Sequence, residues 1–224
     1  MKISNRLLKI ASFVKRDVIL VDVGCDHGYL PIFLLNNKLI KQAYALDLRE
    51  GPLSSVKNNA LKYHIDLTCL ISDGLEVMNS YYFDTVIIAG MGGNIISNII
   101  AAQLSLLDNK ELILQPQNNS IGLRKFLLKN HFVIIDECLV EERDVIYEII
   151  IVKKNKIDNY EDYSELALNY GKHNLLIRDE LLIKKMQQDL KKYQNILLKL
   201  NNTIPKYEDI KNKIKIIEDY IYEN

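Results

Sequence analysis

The 224-residue sequence has no tryptophan, three cysteines, four prolines and no net charge at neutral pH. Each scarcity excludes something. No run reaches the ~20 unbroken apolar residues of a membrane span, so no membrane association is expected. The basic N-terminus MKISNRLLKIASFV is interrupted by Arg6, Lys9 and Ser12, and no small-residue cleavage site follows. Ile3, Leu7, Ile10 and Val14 recur there at helical spacing, which predicts an amphipathic first helix rather than an export signal. Cys25, Cys69 and Cys138 are odd in number and scattered. That suits reduced thiols in a cytoplasmic protein, not a disulfide framework. No second cysteine or metal-ligand set stands near Cys25, and no metal is expected. Zero net charge argues against a grossly basic nucleic-acid binder. Residues 1–16 nonetheless carry Lys2, Arg6, Lys9, Lys15 and Arg16 without an acid, either as a solvated helix face or as a local phosphate-contacting patch. No aromatic cluster announces a stacking platform, and no internal repeat is visible.

What is present centres on residues 18–31, VILVDVGCDHGYLP. Four apolar residues lead into Asp22, Gly24 follows, and Asp26, His27 and Gly28 open the next helix. A strand that ends in an acid and two glycines brings bare backbone against a polar ligand, beside the free N–H groups of a helix start. The spacing is D-x-G-x-x-x-G, not the G-x-G-x-x-G of a dinucleotide site.

Strand-like runs at 18–23, 43–48, 66–71, 84–89 and 111–115 alternate with helical stretches at 28–37, 52–64, 92–107 and 119–130. This alternation predicts a parallel sheet covered on both faces. Residues 131–140 and 145–152 are then two strands separated by EERD alone, too short a connection for a helical crossover, so they predict an antiparallel hairpin at the sheet's edge. The whole resembles the Rossmann-like fold of class I S-adenosylmethionine-dependent methyltransferases, an α/β seven-stranded, mostly parallel sheet. Near residue 153 the chain turns polar (KKNKIDNYEDY). Leu182, Met186, Leu190, Tyr193, Leu197 and Leu200 then form one helical seam, and Ile204, Tyr207, Ile210, Ile214, Ile217 and Ile221 a second, separated by Asn201, Asn202, Thr203 and Pro205. The prediction is a domain over 1–153 and a coiled-coil-like helical hairpin over 160–224.

Several positions are candidates for ligand contact. Asp47 ends the second strand, where an acid accepts from ribose hydroxyls. Asp73 and Gly74 follow the third; Asp73 is a candidate acceptor for an exocyclic adenine amine or an N-cap. Asp22 either holds the loop or reaches a ligand's charged amino end. Gly90, Met91, Gly92 and Gly93 lie at the fourth strand's carboxyl end, where doubly wound sheets bind ligands. Gln117, Asn118 and Asn119, after Pro116, offer amides for a base edge or for helix capping.

VDVGCDHGYLPIFLL, IIAGMGGNII, LQPQNN with LRKFL, and VIYEIIIV together resemble the TrmK family of bacterial tRNA methyltransferases, which modify N1 of adenine 22. The resemblance runs through residues 1–153; the stretch after Asp47 matches loosely, and the C-terminal hairpin matches in pattern rather than in letters. It implies S-adenosyl-L-methionine as cofactor, held by Asp22, Gly24, Gly28, Asp47, Asp73, Gly74, Gly90 and Met91, and tRNA as partner. Asp26 is then the candidate catalytic carboxylate, orienting the adenine, unless it only caps the helix; Asn118 is a second catalytic candidate. His27, Tyr29, Gly92, Gly93, Arg6 and Gln117 are candidate substrate contacts. RNA phosphates would meet Lys2, Arg6 and Lys9, Arg124 and Lys125, or Lys184, Lys185, Lys191 and Lys192. The hairpin is open to three uses: a tRNA grip, a weak homo-oligomer contact or a solvated brace. The alternatives are a methyltransferase for another base, a protein or a small molecule, and a non-catalytic cofactor-binding adaptor. NPPY and DPPY, associated with exocyclic-amine methylation, are absent.

Overall fold

The computed structural model describes residues 1–154, 163–201 and 205–222. The chain divides into two compact units, Met1–Asp162 and Tyr163–Asn224. Residues 155–162 of the polar connector, and Asn202, Thr203 and Ile204 of the expected turn and second seam, lie outside the described residues.

The first unit is a seven-stranded sheet of β1 (Ile19–Val23), β2 (Gln42–Asp47), β3 (Thr68–Ile71), β4 (Thr85–Met91), β5 (Glu111–Pro116), β6 (Phe132–Glu142) and β7 (Val145–Lys154), in the order β3-β2-β1-β4-β5-β7-β6. β1 to β5 run parallel, and β7 is antiparallel to both neighbours, β5 and β6. The central strands read as unbroken apolar runs because both their faces are covered: Leu20 and Val21, Val86 to Ile88, and Leu112 to Leu114 are all buried. The helices are α1 (Asn5–Ala11), α2 (Tyr29–Asn36), α3 (Glu50–Lys62), α4 (Gly93–Ala102) and α5 (Ser120–Lys129).

Two element boundaries and one charge differ from expectation. α1 is helical for seven residues only, capped by the Ser4 hydroxyl. The helix expected over 92–107 stops at Ala102, and the chain continues through successive i→i+3 hydrogen bonds at Gln103, Leu106 and Leu107. Arg124, an expected phosphate contact, points inward and is fully buried. Its Nε donates to Glu137 and its Nη2 to Glu148, each at 2.7 Å, while the Ser120 hydroxyl donates to the other Glu148 oxygen at 3.0 Å. The cation ties α5 to the hairpin.

The second unit contains α6 (Glu165–Tyr170), α7 (Lys172–Ile177), α8 (Glu180–Leu197) and α9 (Pro205–Tyr222). α6 and α7 were not anticipated; each is six residues long, too short to establish a period. In α8, Leu182, Met186 and Leu190 are buried, as are Ile210 and Ile217 in α9. The Arg178 guanidinium, just before α8, donates to the Tyr220 and Ile221 carbonyls at the end of α9. α8 and α9 therefore run antiparallel, and the cation satisfies carbonyls that the helix end leaves open. None of the described helices is long and apolar enough to cross a membrane.

Candidate active site

β1 turns into α2 through a loop with three left-handed residues, two of them glycines. Gly24 and Gly28 have φ of +69° and +67°, a region that costs other residues about 1–2 kcal/mol. The N–H groups of Gly24 and Cys25 both donate to the Leu46 carbonyl, which moors the loop to β2. Gly28 is the N-cap of α2, and a Cβ there would stand 2.6 Å from Val56 of α3. The Met91 methyl fills the place that a Cβ on Gly24 would take, so the ends of β1 and β4 close on each other across bare backbone.

A cleft of about 450 Å³ opens at these carboxyl ends. Asp22, Gly24, Asp26, His27, Tyr29, Asp47, Gly90, Met91, Gln117 and Arg6 all line it, bringing most of the expected contacts together. Asp22 is buried and accepts no hydrogen bond among the described residues; burial pushes its carboxyl up to about 7. It therefore does not hold the loop. Asp47 accepts the Arg49 N–H at 3.0 Å through one oxygen. Cys25 also lines the cleft, its thiol pushed up by burial and by the nearby carboxylates Asp22 and Asp47.

At the mouth, Asp26 adopts the left-handed conformation (φ 48°), and its carboxylate is 77% exposed. It does not cap α2, whose N-cap Gly28 has no side-chain hydrogen bond. Its oxygen sits 3.6 Å from His27 Nε2. The His27 ring stacks on Tyr29 with centroids 5.4 Å apart, and the His27 carbonyl is held by Asn59 Nδ2 of α3 at 2.9 Å.

The remaining candidates lie elsewhere. Asp73 and Gly74 line a separate cleft of about 420 Å³ with Ile95, Asn98 and Ile99 of α4. The Asp73 carboxylate is exposed and caps nothing; the Ser72 hydroxyl instead accepts the Val77 N–H at 3.2 Å. Gly92, Gly93 and Asn118 form a packing joint between the loops after β4 and β5. Gly93 N–H donates to the Asn118 carbonyl at 3.0 Å, and a Cβ on Gly93 would stand 2.5 Å from the Asn119 carbonyl oxygen. Asn118 is thus outside the cleft lining, where Gln117 takes the inward place. Asn119 caps α5 by accepting from Gly122.

Two lining or supporting residues were not foreseen. Arg49 lines the cleft two positions after Asp47. Gln115 is completely buried: its amide oxygen accepts from Arg6 Nη1, and its nitrogen donates to the Pro116 carbonyl at 2.9 Å. An amide at the end of an apolar strand is the signal for it, since a buried amide requires partners. The described residues contain no cluster of His, Cys, Asp and Glu suited to a metal.

The model of the family TrmK, tRNA (adenine(22)-N(1))-methyltransferase, matches residues 20–221. The chain belongs to the TrmK family. The tRNA (adenine(22)-N(1))-methyltransferase of Bacillus subtilis is 30% identical over 224 residues, 98% of this chain and 94% of that protein. The solved TrmK of M. capricolum, in complex with S-adenosyl-homocysteine, superposes with a TM-score of 0.88 at 27% identity, covering 99% and 98% of the two chains. Streptococcus pneumoniae Sp1610 in complex with S-adenosyl-L-methionine gives 0.86 at 30%, covering 99% and 100%. The TrmK-like motifs DHGYLP and GMGG, far apart in sequence, both contribute lining residues to one cleft, Asp26, His27, Tyr29 and Leu30 from the first and Gly90 and Met91 from the second.

Proposed function

We propose that this chain transfers the methyl group of S-adenosyl-L-methionine to N1 of adenine 22 in tRNA. The observation that carries this reading is the single cleft in which a glycine loop, the acids Asp22 and Asp47, and an exposed Asp26–His27–Tyr29 group meet, in a TrmK chain. The residues suit the cofactor. A buried carboxylate without a partner, Asp22, fits an ammonium group. Asp47 keeps one oxygen for ribose hydroxyls after bonding Arg49.

When bound, the cofactor supplies a methyl group on a positively charged sulfur. Adenine N1 carries a free lone pair, so no base is needed to expose the nucleophile. The chain's work is to orient the base and to offset the positive charge it gains. Asp26, accepting from the adenine N6 amine, does both. The exposed, stacked His27 and Tyr29 rings offer an apolar face beside it. N1 lies on the pairing edge, so the adenine must leave its helix before transfer.

tRNA is the partner this reading requires, and self-association is not required by it. With Arg124 and Arg6 turned inward, phosphate contacts fall to Lys2 and Lys9, to Lys125, and to Lys191 and Lys192 of α8; Lys185 pairs with Asp189 at 3.5 Å. The reading places the protein in the cytoplasm, with its tRNA. The test is nucleoside mass spectrometry of tRNA transcripts treated with purified protein and cofactor. N1-methyladenosine should form in a transcript with adenine at position 22 and not in one with guanine there. Methylation of both transcripts, or N6-methyladenosine as product, would refute it.

A further inference from the structure

Of the four amide side chains that close β5, one stands inside the cleft with its hydrogen bonds unmade. Gln115 is buried, its oxygen accepting from Arg6 Nη1 and its nitrogen donating to the Pro116 carbonyl. Asn119 caps α5 through its oxygen and donates to Asn94 through its nitrogen. Asn118 packs against Gly92, outside the cleft lining. Gln117 differs: it is exposed, it lines the cleft, and its side chain bonds to none of the described residues. Its backbone is nonetheless fixed, because its N–H donates to the Met91 carbonyl at 2.8 Å. β4 slips register against β5 at this point: Ala89 pairs with Gln115 and Met91 with Pro116, so Gly90 is an extra residue. Gly90 has φ +79°, and Gln117 Nε2 reaches to 3.8 Å from the point where a Cβ on it would stand. The bulge clears the space into which the amide extends.

Gln117 carries the one amide among the described residues of the lining, a donor and an acceptor side by side. Adenine offers the matching pair on one edge, N7 as acceptor and an N6 hydrogen as donor. Reading that edge leaves N1 uncovered, which methyl transfer requires. The exocyclic amine has two hydrogens, so Asp26 accepts the one beside N1 and Gln117 Oε1 the one beside N7. Guanine presents O6 and N7 there, two acceptors, and one of them would face the amide oxygen unpaired. The carboxylates and arginines of the lining cannot draw this distinction, since a carboxylate only accepts and a guanidinium only donates.

We propose that Gln117 selects adenine by its N6 and N7 edge, Nε2 donating to N7 and Oε1 accepting from the N6 amine. This rests on methylation of adenine N1 in tRNA being the activity. The test compares tRNAs assembled by ligation with adenine or 7-deazaadenine at position 22; the second has C–H in place of N7 and keeps N1 and N6. Initial rates at limiting RNA give kcat/KM, and calorimetry with S-adenosyl-homocysteine gives cofactor affinity. The wild type should methylate the deaza transcript about 10-fold less efficiently, the weight of one hydrogen bond. Gln117→Ala should lose about 10- to 100-fold on adenine and treat the two transcripts alike, with cofactor affinity within about twofold of wild type. Gln117→Glu, which accepts from N6 but cannot donate to N7, should prefer the deaza transcript. Equal rates on the two transcripts by the wild type overturn the proposal without needing any variant. So does a Gln117→Ala chain, its folding checked by melting, that keeps the wild-type preference. A Gln117→Ala chain that loses cofactor affinity as steeply as activity also overturns it, and assigns the amide to the cofactor. A wild-type chain that methylates neither transcript refutes the proposed activity itself, and this proposal with it.

Discussion

Asp22→Asn should make the protein more stable and its cofactor site weaker, and both effects should grow as pH rises. Burial holds the Asp22 carboxyl at about 7, against 3.8 for an unburied aspartate. Below about pH 3 the group is protonated in both folded and unfolded chains and contributes nothing. Between there and about 7 the unfolded chain releases its proton while the folded one keeps it, so stability falls as pH rises. At about pH 8.5 the folded protein bears the full difference, roughly three pH units at about 1.4 kcal/mol each, or ~4 kcal/mol. The amide that replaces the carboxylate carries no such charge, but leaving its own hydrogen bonds unmade costs ~1–3 kcal/mol. The variant should therefore be ~1–3 kcal/mol more stable at about pH 8.5, a Tm gain of roughly 2–4 °C per kcal/mol for a unit of this size, and show no gain at about pH 5. An ammonium bound against the carboxylate favours its ionised form. Cofactor binding near pH 6 should then release a proton, read as a dependence of the calorimetric heat on buffer ionisation enthalpy, and Asp22→Asn should abolish that release. Should the melting difference between variant and wild type be the same at both pH values, the desolvated carboxylate is not what sets it and the reasoning is wrong.

Asp26→Ala should lower methyl transfer to tRNA by about 10²-fold or more while leaving cofactor affinity within about twofold, because the carboxylate is largely exposed and its contact, His27 Nε2 at 3.6 Å, is itself half-exposed; single-turnover assays beside calorimetry would show it. Gly28→Ala places a side chain at φ +67° and 2.6 Å from Val56, and should cost about 2–4 kcal/mol in denaturant unfolding. Arg124→Leu leaves Glu137 and Glu148 buried around an apolar side chain, and a loss of about 3–5 kcal/mol is expected. Lys125→Ala, by contrast, should leave stability within about 0.5 kcal/mol, so any fall in tRNA affinity measured for it reports on the RNA alone.

Much of this architecture is legible in the letters because burial on both faces leaves little choice. VILVDV, DTVIIA and ELILQ are continuous apolar runs only a covered parallel strand accommodates, and EERD is too short for anything but a hairpin. The glycine loop is legible for a related reason: positive φ at Gly24 and Gly28 leaves few residues that fit. Side-chain direction is where reading fails. Arg6 and Arg124 both sit where a helix could present them to solvent, and both turn inward. The clue to Arg124 lies far along the chain, in Glu137 and Glu148, acids set within apolar strands that need a cation. For Arg6 the partner is Gln115, an amide at the end of an apolar strand, which signals that it needs a partner but not which one. Asn118 and Gln117 illustrate the same limit: adjacent amides after Pro116, one inside the cleft and one in a joint, distinguished only by how the loops after β4 and β5 meet.

The strand order β5-β7-β6 also bears on how the molecule is made. β7 is the last strand to leave the ribosome, yet it has a neighbour on each side. Until Lys154 has emerged, β5 presents an unpaired edge whose residues, from Glu111 to Pro116, are all buried in the finished protein. Such an edge is a template for any extended chain nearby. During synthesis the first unit must therefore wait, apolar edge open, for the hairpin to supply the strand that closes it.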